Sequence, residues 1–438
     1  MIEQPALIRA IGSAGIALIV LNSMIGAGIF ATPGSVAEQA GNFSPWLYLG
    51  IGIVFVTVVL SFAELSSYFR ESGGPVLFAK TAFGPLAGLS AGWLLYISRL
   101  SSFAANTTAM AIYVGALWPW VETGAGRISF ISVICVGLTV ANFVGVKDGI
   151  RTLAVFTFLK VTPIVILVLL GLKEVTGDVL LPSSLPTIDD FGGLTLLIIY
   201  AFIGFEVATV VSGETRHPRR RMPRAILATV IGTSILYFLI MLVYVSVLPE
   251  GERMTMSPEG ELVPKTLADV GRVLAGVVGA IGIALAAIFS IGGNLASTML
   301  SMPRLSFALG EQGLLPAWFG KVHPKFHTPG NSVLLFGTFC LLLALSGTFA
   351  LLAGAASLAR MLVYTISIAG LPRIRKQAPA ELAERAFRLP FGYLIPGVAL
   401  ALCVWIATNS PADVWYLSLG LLTVGMLLYA LARCRITS

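Results

Sequence analysis

The chain is written in long apolar runs, parted by short polar stretches that hold most of its charge. Many of these runs approach the ~20 residues that a helix needs to cross a bilayer. The pattern predicts an all-α polytopic membrane protein with twelve spans, at 12–40, 44–69, 83–117, 128–146, 152–172, 191–213, 223–248, 267–302, 331–348, 350–371, 391–408 and 413–432. An even number of spans puts both termini on one side. Of the 28 Lys and Arg, twenty fall on the side of the termini, five on the other, and Arg99, Lys160 and Arg360 within spans. Basic residues stay on the cytoplasmic side, so both termini are expected there, in a cytoplasmic (inner) membrane.

Composition agrees. The chain has 438 residues, 57% of them hydrophobic and 11% charged, with a mean hydropathy of +0.91; a soluble domain carries about 25% charged residues. The start, MIEQPALIRAIGSAG, does not read as a cleavable signal, because apolar sequence continues from it into a full span. The net charge of +7 does not point to nucleic acid, since orientation explains the basic run RHPRRRMPR. Exterior loops are expected to be short except 173–190 and 249–266, which are acidic. Cys135, Cys340, Cys403 and Cys434 lie in or beside apolar runs without close partners, so neither a disulfide framework nor a metal site is suggested. No cofactor is called for.

Two runs carry interruptions. In LNSMIGAGIFATPG, Leu21 to Gly34, glycines fall at mid-membrane depth, and YAFIGFEVATVV, Tyr200 to Val211, repeats the feature 178 residues on, from Gly26 to Gly204. Five spans separate the two, so the second would enter from the opposite face. Matched interruptions of this kind point to a transporter built from inverted repeats: 1–172 and 191–371 as the repeats, with 391–432 appended. Lipid cannot satisfy free backbone groups, so a break must line a cavity. Amides opening the half-helix after Gly28 suit a carboxylate, carbonyls ending the preceding half suit an ammonium, and a zwitterionic amino acid carries both. Glycines that merely let helices pack closely are the plainer reading of one motif, but the pairing weighs against it. GAGIFA also fits a dinucleotide fingerprint, which its context inside a span refutes, and no P-loop sequence occurs.

These residues resemble a known family. NSMIGAGIFATPG is similar to the first-span signature of the amino acid–polyamine–organocation transporters. FIGFE followed by ETRHPRRRMPRAI is similar to their sixth span and the loop after it. SMPRLSFALGEQGLLPAWFGKVHPKFHTPGNSV, Ser301 to Val333, is similar to their eighth span and the segment beyond, in the manner of the bacterial relatives of the cationic amino acid transporters. The resemblance implies a LeuT-like five-plus-five inverted repeat with helices 1 and 6 broken, and amino acid transport by alternating access. It implies a substrate site around Met24, Ile25, Gly26, Ala27, Gly28 and Tyr200, Ala201, Phe202, Ile203, Gly204. The carboxylate would meet the amides of Ala27 and Gly28, and the ammonium the carbonyls of Met24, Tyr200 and Ile203. Many members carry Ser where this chain has Ala27, so a hydroxyl contact is missing here. Tyr200 stands at a position that is often aromatic and gates the substrate; ordinary interhelical packing is the other reading.

Charged groups inside the membrane are functional by default. Lys160 is nine residues past Arg151, about 14 Å along a helix, too far to snorkel fully. In the family a lysine here marks sodium-independent members and stands where related transporters hold sodium. A buried lysine can gain and lose a proton, so Lys160 reads either as the carrier of a coupled proton or as a permanent strut in an exchanger. Glu206 follows Gly204 and Phe205, where its carboxylate could accept from freed backbone N–H groups or pair with a cation, and the resemblance implies a structural and gating role for it. Arg99 reads either as a group recognising an acidic side chain or, more strongly, as the partner of Glu206 or another acid, because an unpaired buried Arg is costly. Asn106, Asn294 and Ser297 are candidates for pocket lining or interhelical hydrogen bonds. Glu38 and Glu64 read as structural, and Arg360 has no reading from sequence. His217, His323 and His327 all fall in loops, which argues against a histidine relay.

The expected function is therefore secondary transport of α-amino acids, sodium-independent and proton-coupled, with plain exchange or a polyamine or cationic amino acid permease as alternatives. The expected partners are an amino acid, a proton and the bilayer, without nucleic acid. Enzyme chemistry would need a constellation such as H-E-x-x-H, which is absent, and a channel would need a continuous polar stripe, which spans this apolar do not offer. Arg99 argues against a cationic side chain and the branch resemblance for one; neutral substrates are the expectation.

Overall fold

The computed structural model describes residues 12–69, 73–145, 150–180, 190–210, 218–256, 260, 262–379 and 386–434. Expectations that fall on Arg9, Arg70, Lys147, Arg216, His217, Arg385 and Arg435 lie outside these residues. In chain order the helices are α1 Ser13–Met24, α2 Gly28–Ala31, α3 Pro33–Ala40, α4 Ser44–Ser67, α5 Gly74–Phe83, α6 Pro85–Gly115, α7 Gly124–Val144, α8 Ile150–Gly171 and α9 Gly177–Leu180. Then come α10 Phe191–Phe202, α11 Val207–Val210, α12 Pro218–Val247, α13 Leu267–Glu311, α14 Gly330–Ser346, α15 Phe349–Ala369, α16 Leu371–Gln377, α17 Leu394–Thr408 and α18 Ala412–Cys434. Among the described residues, seven helical segments are long and apolar enough to cross a membrane, and α10, α14 and α17 are shorter apolar helices. The chain is a nearly all-α polytopic membrane protein.

Polar caps start several helices where the apolar runs begin. Asp190 accepts from Gly193 N at 2.8 Å to open α10, and Thr348 accepts from Leu351 N to open α15. Thr266 and Asp269 form a reciprocal capping box on α13. Three expectations need correction. Residues 74–82, read as loop, form α5 together with Phe83, a helix too short and too mixed to stand out as a span. The eighth span does not stop near 302: α13 runs on through Pro303 to Glu311, because neighbours can compensate the one hydrogen bond a proline removes. Near its start α13 leaves helical geometry at Ala275 and Gly276. Finally, the loop 249–266 carries a two-stranded hairpin, Met254–Met256 against Leu262–Pro264, in a chain expected to be helical throughout.

The centre is formed by α4 lying along α12, α6 along α15, and α8 and α6 along α13, while α1 packs on α12 and α10 on α15. Helix α17 lies on α15 and α4, and α18 on α15 and α6. Apolar side chains outside this core remain uncovered, as on α7, whose Ile128, Val133, Val136 and Val140 are exposed, the arrangement expected of a lipid-facing helix. Between helices in lipid, packing and hydrogen bonds rather than water exclusion supply cohesion. Phe55, Phe62, Phe205 and Tyr364 interlock where α4, α11 and α15 meet, with Phe62 and Tyr364 ring centres 4.9 Å apart and Phe62 and Phe205 5.5 Å apart. Such pairs contribute about 0.5–1.5 kcal/mol each beyond buried area.

Glu64, read as structural, is fully buried near the end of α4. It takes Nε and Nη2 of Arg375, each at 2.7 Å, with Leu389 N at 3.1 Å and Tyr68 Oη at 3.2 Å. Arg375 also donates to Gly392 O and stacks over Tyr393. The fork ties α4 to α16 and to the approach to α17. Arg375→Ala would leave Glu64 buried without its counter-ion, a loss of about 3 kcal/mol. The midpoint of thermal unfolding in detergent is expected to fall by several degrees, with partial recovery in Arg375→Lys, which keeps the charge but not the fork. An unchanged midpoint would show that the pair does not hold these segments.

Candidate functional site

Helix α1 ends at Met24 and α2 begins at Gly28; between them Ile25 leaves helical geometry (φ −77°, ψ 79°). Helix α10 ends at Phe202, followed by an extended Ile203 (φ −68°, ψ 148°) and by Gly204 at φ +123°. Both breaks occur deep in the core, where every residue from Met24 to Phe30 and from Tyr200 to Glu206 is buried. They face one another. A Cβ on Gly28 would lie 2.6 Å from Ala201 Cα, and one on Gly204 would lie 2.7 Å from Ser23 O. Each glycine is thus fixed by the backbone of the other break, and Gly204 also by a positive φ that other residues rarely adopt.

The backbone groups freed by the breaks are only partly reclaimed. The Ala27 and Gly28 amides start a half-helix and have no helical acceptor behind them. Gly204 N donates at 3.0 Å to Glu206 Oε2, not back to Tyr200 O as in an intact helix. The other side has been furnished by side chains. Lys160 Nζ, on α8, donates to Asn22 O at 2.8 Å and Ile25 O at 2.7 Å, and Ser290 Oγ donates to the same Ile25 O at 2.8 Å. The Tyr237 hydroxyl, on α12, lies 3.1 Å from Met24 O and 3.0 Å from Ala201 O, one carbonyl from each break. Met24 O also accepts from Gly26 N. Sequence reasoning missed Tyr237 and Ser290: a lone hydroxyl in an apolar run has no local mark that separates it from packing.

One cavity joins these elements. It is lined by Ser23, Met24, Gly26, Ala27 and Gly28 from the first break, Tyr200 and Ile203 from the second, Arg99, Ser102 and Asn106 from α6, and Asn294 from α13. Ile25, Ala201, Phe202 and Gly204 stand behind this wall and do not line it. Ser297 is exposed on the far face of α13, so of the polar candidates Asn106 and Asn294 face the cavity and Ser297 does not. Tyr200 Oη donates to Asn106 Oδ1 at 2.6 Å and lies 3.2 Å from Ser102 Oγ, and Asn106 Nδ2 donates to Asn294 Oδ1 at 2.9 Å. Its ring meets Phe349 edge-on.

Beside the cavity lies a charge cluster. Glu206, buried, pairs through Oε1 with Arg360 and, at 3.4 Å, with Arg99 Nη2. Its Oε2 accepts from Tyr364 Oη at 2.7 Å and from Gly204 N. Arg360, without a reading from sequence, is the closer partner, and its Nε donates to Ser98 Oγ at 3.0 Å. The pairing expected of Arg99 is present, but as a shared one. Among the described residues no group of three or more His, Cys, Asp or Glu is placed to hold a metal ion.

A family description, "Amino acid permease", matches residues 11–428, nearly the whole chain. The chain belongs to the amino acid permease family. Among its relatives, the methylthioribose transporter of Bacillus subtilis (strain 168) is 27% identical, covering 98% of this chain and 94% of its own. The serine/threonine exchanger SteT of the same organism is 27% identical over 91% and 90% of the two chains. Its branched-chain amino acid permease BcaP is 23% identical over 98% and 94%. Family and relatives are transporters, not enzymes, and support amino acid transport. The relatives' names disagree on cargo, so the cavity of this permease has to be read for itself.

Proposed function

We propose that this permease is a secondary active, sodium-independent transporter that carries α-amino acids by alternating access in a cytoplasmic membrane, coupled to protons. The observation that carries the reading is the pair of facing breaks around one cavity. The Ala27 and Gly28 amides are placed to take a carboxylate. Since Met24 O is already shared by two donors, Tyr200 and Ile203 are the carbonyls left for an ammonium. A ligand held only by backbone groups is recognised by what all α-amino acids share.

Twelve spans and an inverted repeat are the architecture behind this reading, and the packing supports it. Exchanging α1 with α10, α4 with α12, α6 with α13, α7 with α14 and α8 with α15 turns the α6–α15 contact into α13–α8, α1–α12 into α10–α4, and α6–α14 into α13–α7. The contacts α4–α12, α6–α13 and α7–α14 map onto themselves, and all of these occur. Rocking of one such set of helices against the other would expose the cavity to each side in turn.

Sodium independence is supported by Lys160. The Asn22 and Ile25 carbonyls are hard-cation donors, and the Lys160 nitrogen sits on both. Proton coupling is supported by the number of its bonds: a neutral amine can make two donations as well as an ammonium can, so both forms fit. In proteoliposomes, uptake of labelled amino acid is expected to be saturable, stereoselective, unchanged when sodium is replaced by potassium, and stimulated by an acidic exterior. Lys160→Ala should lower it at least tenfold. Uptake that ignores the pH gradient but requires internal substrate would replace symport with exchange, and unchanged kinetics in Lys160→Ala would remove that residue from the mechanism.

A further inference from the structure

We propose that the side-chain end of the cavity is built for a carboxylate, so that this permease favours acidic amino acids, with Arg99 as the recognising group. The proposal rests on the preceding reading of the two breaks and names the substrate class within it.

Charge is the first argument. Two guanidinium groups, Arg99 and Arg360, face one carboxylate, and among the described residues no other acid lies within ion-pair distance of either. The cluster carries one positive charge too many, inside a membrane protein, where an uncompensated charge is costly. Lys160 adds no compensation, because its acceptors are neutral carbonyls. A neutral amino acid leaves the excess in place. An amino dicarboxylate brings one net negative charge and cancels it.

The second argument is which cation is spare. Glu206 is fully engaged: Oε1 serves both guanidinium groups and Oε2 takes Tyr364 and Gly204 N. Arg360 is the committed partner, with 1% of its side chain exposed and a further bond to Ser98. Arg99 has a single long bond of 3.4 Å and a side chain 13% exposed, and it lines the cavity. Of its five N–H donors, only one is directed at an acceptor among the described residues. The fork is free to take a carboxylate bidentately.

The rest of the wall agrees. Ser102 and Asn106 follow Arg99 at three and seven positions, on one face of α6, and Asn294 faces them from α13. An aliphatic side chain would leave the spare Arg99 donors facing no acceptor, and a cationic one would meet their charge.

The test compares isosteres. Full-length protein in proteoliposomes is assayed, by uptake and by counterflow, with labelled L-glutamate, L-aspartate and L-glutamine. The expected result is at least a tenfold preference for one of the acids over glutamine, and an Arg99→Gln protein in which that ratio falls at least tenfold. The wild-type ratio decides even if the variant fails to fold. Transport of glutamine or another neutral amino acid as good as that of both acids would overturn the proposal, leaving Arg99 a structural partner of Glu206 and the transport reading intact. If no amino acid of any charge is taken up, and none raises the melting midpoint of the purified protein, the transport reading itself fails and this proposal with it.

Discussion

Glu206→Ala is expected to yield little or no monodisperse protein. The substitution removes the one anion that Arg99 and Arg360 share, along with the acceptor of Tyr364 Oη and Gly204 N. Breaking a buried pair by deleting one partner costs about 3–5 kcal/mol, and each orphaned neutral donor about 1–3 kcal/mol more. Against a total stability of about 5–15 kcal/mol, that is enough to unfold the protein. Size-exclusion profiles and thermal unfolding in detergent would show it. Glu206→Gln keeps acceptor capacity but not the charge, so it should fall between the two. A wild-type midpoint in Glu206→Ala would mean that the two arginines are not held by this carboxylate.

Gly204→Ala is expected to fold and to lose transport by at least tenfold. Its Cβ would sit 2.7 Å from Ser23 O and 2.9 Å from Ser23 C, at a φ of +123°. Such a conformation costs a residue with a side chain about 1–3 kcal/mol, and relief of the clash must come from the backbone of the first break. Helices α10 and α12 keep their packing elsewhere, so the damage should concentrate in the cavity wall. Uptake kinetics with a matched thermal midpoint separate the two effects. Unchanged uptake would show that the breaks do not bear on each other in the working protein.

What could be read from the residues in order was whatever contrasts with its own neighbourhood. Gly26, Gly28 and Gly204 stand out because a spanning run has no use for them unless the helix is interrupted, and Lys160 and Arg99 because charge inside an apolar run is expensive. Partnership was not legible in the same way. Glu206 and Arg360 are 154 positions apart, and nothing near either one names the other. Arg360 therefore had no reading although it is among the most deeply buried side chains. Helix α5 escaped because ten residues are too few to make a periodicity. The stop placed near residue 302 followed the local rule for proline, which the packed surroundings of α13 override. Ser297 and Asn294 are alike in sequence, and only the rotation of α13 puts one in the cavity and the other outside it.

Tyr237 has one hydroxyl hydrogen and stands within reach of two carbonyls, Met24 O and Ala201 O, at nearly equal distances. It can give that hydrogen fully to only one of them at a time. Whichever carbonyl receives it, the other keeps a lone pair that this hydroxyl does not fill. The two breaks thus share a single donor, carried by a helix that belongs to neither of them.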